Sequence, residues 1–153
     1  MITSTEIRAL IQEETSLPGQ ILITNQLYSL PDRAYMSNLG RRLKALMTSS
    51  GLRFTENAWE CDSYSHAATL CARIDHALTC SKLKTVGLQA DPPERTAIAV
   101  GIMGIMDREK GAHVVNFAVH KENLQLKLCL YEPQKQLEPY SSASVEYYLF
   151  AYL

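Results

Sequence analysis

The spacing of apolar residues changes midway along this chain of 153 residues. In the first half they recur every three or four positions, which is the period of an amphipathic helix. In the second half they form short runs or alternate with polar residues, which is typical of strands. Helices that precede strands in this way predict an α+β fold, with the helices packed on a C-terminal antiparallel sheet, in a single domain covering residues 1–153.

The first two helices are bounded by recognisable start and stop residues. Ser4 or Thr5 can cap a helix that runs to about Glu14. Pro31 is expected near the first position of the second helix, and Gly51 is a natural C-terminal stop. Both helices are therefore predicted to precede the residues that carry the candidate chemistry.

A third helix is predicted from about Cys61 to Cys80. Its apolar positions recur at helical spacing and comprise Tyr64, Ala67, Cys71, Ile74 and Leu78. We expect this stripe to face the core, with Cys61 at its start, three residues before Tyr64.

Five segments between or after the three predicted helices have the apolar pattern of strands or extended chain: 20–28, 96–106, 112–120, 124–130 and 145–153. Polar turns at 107–111 and 121–123 separate the middle three, which are therefore predicted to form an antiparallel meander.

Composition excludes several classes of function. The net charge is −1 and the basic residues are scattered, so nucleic-acid binding has no electrostatic footprint. No apolar run is long enough to span a membrane, and no leader is visible, which predicts a protein that is cytoplasmic or released without a visible signal peptide. The four cysteines are expected to be reduced, and their spacings match no zinc pattern.

Cys61 is the candidate nucleophile. A thiol in the first turn of a helix lies near unpaired amides and the positive end of the helix dipole, which favour the thiolate. A nucleophilic cysteine also needs a base and a group that orients the base. His113 at a strand start and Glu132 at the next strand end are the candidates, because counting around the turn at 121–123 places His113 opposite about position 131.

These three residues suggest the roles of a catalytic triad. Cys61 would attack an acyl carbon, His113 would hold and return the proton, and Glu132 would orient the imidazole. The backbone N–H of Cys61 would hold the oxyanion together with a side-chain donor, for which Asn57 and Gln26 are the weak candidates. Trp59 either anchors the core or lines the acyl pocket.

Three motifs together resemble a known family. They are Trp59-x-Cys61-Asp62, residues 111–116 (GAHVVN) and residues 131–134 (YEPQ). In this order they resemble the papain-like cysteine protease domain of the Marasmius oreades agglutinin family, the fungal chimerolectins, without the lectin domain. The resemblance implies a Cys, His, Glu catalytic order, activation by calcium and a homodimer.

The calcium ligands of that family have weak counterparts here. The resemblance makes Asp62 the first candidate, with Asp91 and Glu94 as weaker ones in a loop. A calcium site needs about six or more oxygen ligands, and the sequence has no compact acidic loop that supplies them. Stabilisation of the first helical turn explains Asp62 equally well.

Three functions remain open from the sequence. The first is a thiol peptidase, a papain-like hydrolase with calcium as its cofactor and a protein or peptide as its substrate. The second is a transglutaminase-like acyltransferase or a peptidoglycan amidase, since the same triad serves both. The third is a non-catalytic dimerisation or binding module on the same scaffold.

Overall fold

The computed structural model describes residues 1–17, 20–51, 61–86 and 96–153. Within these ranges the chain forms three helices, namely α1 (Ser4–Thr15), α2 (Arg33–Ser49) and α3 (Cys61–Thr85). The strands are β1 (Ile2–Thr3), β2 (Ile21–Leu22), β3 (Leu27–Ser29), β4 (Thr96–Ile98), β5 (Val100–Asp107), β6 (Gly111–Glu122), β7 (Gln125–Glu132), β8 (Glu138–Tyr140) and β9 (Val145–Tyr152). The predicted α+β class is confirmed.

Six of the strands form one sheet in the order β2-β9-β5-β6-β7-β8. The antiparallel meander of β5, β6 and β7 is as predicted, but β8 extends it, β9 returns to pair with β5, and β2 joins β9 in parallel. Strand β5 is an almost continuous buried apolar run, so a central position between two strands satisfies both its backbone edges. A smaller sheet, β1-β3-β4, was not predicted, because its strands have only two or three residues each.

The helix starts differ from the predicted ones by one or two residues. Thr3, rather than Ser4 or Thr5, caps α1 in a reciprocal arrangement with Glu6. Asp32 caps α2 by accepting from the Tyr35 N–H at 2.6 Å, so Pro31 lies just before the helix rather than inside it. Carboxylate and hydroxyl side chains at these positions bind amides that would otherwise lack partners.

Helix α3 presents a different face to the sheet from the one predicted. Ala68 and Ala72 are fully buried, whereas Ile74 and Leu78 are 50% and 55% exposed. The prediction was wrong because small side chains, not large ones, mark the buried face. Alanines allow the helix backbone to lie close to β6, where Asn116 hydrogen-bonds the helix directly.

Two histidines, His120 and His76, are wholly or partly buried. His120 is 2% exposed and lies between the Pro31 carbonyl oxygen at 2.7 Å and the Tyr131 hydroxyl at 2.6 Å. His76 is half-buried, with its Nε2 3.0 Å from Thr96 Oγ1. Both rings have polar partners that come from distant segments, so sequence position alone gave no indication of burial.

Among the described helices, none combines the length and the hydropathy that crossing a bilayer requires.

Candidate functional site

Cys61 is the first residue of α3, and its sulfur rests against the backbone of β6. The Val114 N–H donates to Cys61 Sγ at 3.3 Å. One helical turn later, Ser65 Oγ donates to the Val114 carbonyl oxygen at 3.4 Å. The two contacts hold the start of α3 over Val114. The thiol therefore stays close to His113, which is the residue before Val114 in β6.

His113 and Glu132 form a buried hydrogen-bonded pair. His113 Nε2 is 3.0 Å from Glu132 Oε2, and the two residues are 8% and 4% exposed. The imidazole also bonds the thiol of Cys61. The structure therefore brings together the three residues that the sequence singled out.

The register that produces this pair is not the predicted one. The turn between β6 and β7 is Asn123-Leu124, with φ of 49° and 68°, and the ladder ends at Asn116 opposite Tyr131. One step beyond that pair, Glu132 comes alongside Val115, which shares a sheet face with His113. Glu132 thus approaches His113 diagonally, a separation that a carboxylate and an imidazole can span.

The electrostatics of the cluster favour a thiolate and an imidazolium. Partial burial raises the pKa of the Cys61 thiol, but hydrogen bonds from His113 and the Val114 amide outweigh it, and the net pKa is lowered. Burial lowers the pKa of His113, but its bonds to Cys61 and Glu132 raise it overall to about 9. Near neutral pH the imidazole is therefore protonated, and its hydrogen bond and charge lower the pKa of the neighbouring thiol.

Lys110 completes the charge arrangement from the β5–β6 turn. Its Nζ lies 2.7 Å from Glu132 Oε2 and 4.8 Å from the centre of the Tyr140 ring. Burial raises the pKa of Glu132, but His113 and Lys110 together lower it to about 2. The carboxylate therefore stays ionised and bonds both the His113 imidazolium and the Lys110 ammonium group. The sequence gave no signal for Lys110, because a lysine in a polar turn usually points into solvent.

The turn that carries Lys110 is itself held by Asp107. One carboxylate oxygen accepts from the N–H groups of Glu109 and Lys110 at 2.8 and 2.9 Å, and the other accepts from the Tyr140 hydroxyl. The hydrogen bond from Tyr140 is the main reason that the pKa of Asp107 lies well below its usual range. This network positions the lysine and the Tyr140 ring beside the imidazole.

Asn116 fixes α3 to the sheet. Its side-chain nitrogen lies 3.0 Å from the carbonyl oxygens of Ser65 and Gly101 and 3.1 Å from Thr69 Oγ1. The residue is fully buried. It belongs to the same motif as His113 but supports the helix rather than facing the thiol.

The weaker candidates do not join the cluster. Gln26 is exposed, its carbonyl oxygen accepts from the Ser4 N–H, and no hydrogen bond among the described residues connects it to Cys61. Asn57 and Trp59 lie outside the described residues.

Two of the three predicted calcium ligands lie outside the part of the chain that the structure describes. Asp62 is exposed and bonds the adjacent Ser63 N–H, while Asp91 and Glu94 lie outside the described residues. Over the described ranges, no group of three or more histidine, cysteine or acidic side chains could hold a metal ion. The donor set present there therefore does not fit a calcium site.

The other cysteines differ from Cys61. All four are free in the structure. Burial raises the pKa of Cys71 and of Cys129, and neither has an imidazole partner among the described hydrogen bonds. Cys80 is buried, with its sulfur 3.6 Å from His76 Nε2. Cys61 is thus the cysteine of this set whose pKa is lowered.

Comparison with known proteins identifies the fold. No family model matches the chain, and no curated protein sequence matches it. Two solved structures are similar to it: a complex of PSL1a, a Polyporus squamosus lectin, with E64, and the same lectin bound to the human-type influenza-binding epitope Neu5Aca2-6Galb1-4GlcNAc. They have TM-scores of 0.72 and 0.71 at 15% identity, and both likenesses cover 99% of this chain. The chain spans about half the length of each lectin chain, 51% and 49%.

These comparisons contradict the predicted identity as a papain-like cysteine protease of the agglutinin family. Both similar structures are of a carbohydrate-binding lectin, so the prediction of a cysteine peptidase is wrong. A cysteine–histidine–carboxylate cluster ionises a thiol, but turnover also needs an oxyanion hole and a substrate cleft. What the likeness establishes is the fold, that of about half of a lectin chain.

Proposed function

We propose that this chain is a non-catalytic binding module whose ligand-contacting centre is the cluster of Cys61, His113 and Glu132. The observation that carries the proposal is the continuous set of contacts from the Cys61 sulfur through the His113 imidazole to the buried Glu132 carboxylate. Such an arrangement suits a ligand that meets both an anion and a proton donor at one place.

The proposed ligand class is a compound with an electrophilic carbon. One of the similar structures is a complex with E64. On this chain we take an epoxide as the representative electrophile. At Cys61 the thiolate would form a carbon–sulfur bond, the epoxide carbon–oxygen bond would break, and the alkoxide would take the His113 proton. The step consumes one ligand per thiol, so it is capture rather than turnover.

The finer architecture belongs to the same proposal. Helix α3 meets the sheet at its N-terminal tip, and we propose that this papain-like packing of a cysteine-bearing helix on the antiparallel sheet serves binding without proteolysis. A single domain over residues 1–153 and a homodimer remain parts of this proposal.

The test follows covalent labelling by mass spectrometry. The protein is incubated with E-64 at pH 6.5 and digested, and the labelled cysteine is identified. We expect one adduct at Cys61, none at Cys71, and complete loss of labelling in Cys61→Ala. Cys71→Ala is the matched control, since it removes a half-buried thiol from the same helix and leaves the cluster intact.

A parallel assay separates binding from turnover. Casein is incubated with the protein with and without calcium, and we expect no cleavage in either case. Cleavage that disappears in Cys61→Ala would overturn the non-catalytic proposal, whereas the absence of any adduct at Cys61 would overturn the assignment of the cluster as the binding centre.

Glycan binding is a second candidate. The observation that favours it is the described complex of the similar lectin with a sialylated trisaccharide. On this chain, Tyr147 and Tyr152 are 49% and 44% exposed, and Tyr152 stacks on Phe150 at 4.8 Å, an aromatic surface that can pack on a sugar ring. Titration with the trisaccharide, in the natural chain and in Tyr147→Ala, tests this candidate. Absence of binding in the natural chain would overturn this candidate.

A further inference from the structure

A groove of about 700 Å³ lies between the outer flank of α3 and the ends of β2 and β9. Its volume is typical of a small-molecule site. Leu70, Ile102, Tyr152 and Leu22 supply its apolar lining, and none of them belongs to the Cys61 cluster.

The lining leaves large apolar side chains in contact with solvent. Leu70 and Leu22 are 59% and 56% exposed, and Tyr152 is 44% exposed. Side chains of this size on the two sides of one groove gain free energy when an apolar ligand covers them. Ala67 also lines the groove from α3, and its methyl group fills little of the space.

One charged group marks an end of the groove. Arg73 lines it and is exposed, and within the described parts of the chain it makes no ion pair. Two other arginines do: Arg42 pairs with Asp75, and Arg33 pairs with Glu122. A guanidinium without a carboxylate partner beside an apolar groove complements an anionic head group.

The geometry points to a site for an aliphatic carboxylate, with the hydrocarbon chain between α3 and Tyr152 and the carboxylate on Arg73. We propose a medium-chain fatty acid as the ligand class. This site is separate from the proposed thiolate site, and its ligand needs no electrophilic carbon. Polar groups at the rim, among them His66 and Thr24, leave room for the hydrated head group.

Calorimetric titration with decanoate and with 1-decanol tests both halves of the site. Decanoate is expected to bind at least five times more tightly than decanol, because the alcohol cannot pair with Arg73. Arg73→Gln should abolish that preference and leave decanol binding unchanged. Octanoate should bind about tenfold more weakly than decanoate, since each buried methylene contributes about a threefold to fourfold change.

Leu70→Asp and Leu78→Asp form the matched pair of variants. Both leucines are exposed on α3, at 59% and 55%, so neither change should unfold the protein, which circular dichroism verifies. Leu70 lines the groove and Leu78 does not. We expect at least tenfold weaker decanoate binding in the first variant and no change in the second.

Several outcomes would overturn this inference. They are absence of decanoate binding at millimolar concentration, equal loss in both leucine variants, and an unchanged preference for the carboxylate in Arg73→Gln. Decanoate binding that persists in Cys61→Ala keeps this site distinct from the thiolate site, so failure of one proposal leaves the other standing. Loss of decanoate binding in that variant would place the ligand at Cys61 instead.

Discussion

His113 Nε2 lies 3.0 Å from Glu132 Oε2, although the two residues are 19 positions apart and stand on neighbouring strands. The bond forms because a two-residue turn at Asn123-Leu124 returns β7 alongside β6 in a register that puts both side chains on one face. The pair is buried, and Lys110 Nζ also donates a hydrogen bond to Glu132 Oε2. Each member of the pair shifts the pKa of the other, and the first predictions concern these shifts.

Replacement of His113 by Asn should move the pH dependence of Cys61 alkylation. The hydrogen bond to His113 is the largest influence that lowers the pKa of Cys61 against the effect of burial. Without it, the iodoacetamide reaction should begin only near the ordinary thiol pKa of about 8.5 and should be at least tenfold slower at pH 6.5. The rate is measured by mass spectrometry from about pH 5 to 9.

His76→Asn is the control for that experiment, because His76 lies on α3 but contacts Cys80 rather than Cys61. An unchanged profile in His113→Asn would show that the imidazole does not ionise the thiol.

Replacement of Glu132 by Gln should lower the pKa of His113 from about 9 toward its ordinary value of 6.5. A neutral amide cannot stabilise the imidazolium as the carboxylate does. The folded pKa of His113 is raised, so its stabilising contribution is complete below 6.5 and is lost as the pH rises through about 9. Proton NMR of the imidazole ring measures the shift directly.

Glu122→Gln serves as the matched comparison, since Glu122 bonds Arg33 and Lys127 and lies away from His113. A His113 pKa that stays near 9 in Glu132→Gln would mean that the carboxylate contributes little to the imidazolium.

Replacement of Lys110 by Met should make the protein more sensitive to acid. Lys110 helps to hold the pKa of Glu132 at about 2, so its removal should raise that pKa toward 4.5. A carboxylate with a lowered folded pKa stabilises the protein above pH 4.5 and loses that contribution as the pH falls through about 2. The loss should therefore begin at a higher pH, and acid unfolding followed by circular dichroism should show it.

Lys127→Met removes a different lysine, whose Nζ is 3.3 Å from Glu122, a carboxylate that is 25% exposed. Its acid-unfolding midpoint should move less, because exposed ion pairs contribute only about 0–1 kcal/mol. Equal shifts in the two variants would contradict the special position of Lys110.

Replacement of Asn116 by Ala should destabilise the fold by about 2–3 kcal/mol, because it leaves buried acceptors on α3 and β5 without a donor. Urea unfolding measures the change in the free energy of unfolding. Gln125→Ala, at an exposed position on β7, should stay within about 0.5 kcal/mol of the natural chain. If Asn116→Ala lowers the free energy of unfolding no more than Gln125→Ala does, packing alone holds α3 on the sheet.

The residues of the candidate site could be selected from the sequence, but the geometry that joins them could not. Cys61, His113 and Glu132 each stand at the end of an element, and element ends can be read from periodicity, turns and proline. The predicted register was wrong because the turn was placed at 121–123 instead of at Asn123-Leu124. Both turn residues have positive φ, and no glycine marks the position in the sequence. Lys110 was missed for a related reason, since only the folded turn directs it at Glu132.

What the sequence determined by itself was local. The period of the apolar residues predicted three helices and the meander, and Pro31 and Gly51 marked the ends of α2 to within two residues. Tertiary structure decided which face of α3 is buried, because close approach to β6 selects alanines over isoleucine and leucine. It also decided that β9 pairs with β5, that His120 is buried, and that the Cys61 thiol meets the His113 imidazole. These outcomes depend on segments that are far apart in the chain. The packing and hydrogen bonds between them stabilise the fold only once the chain has brought the partners together.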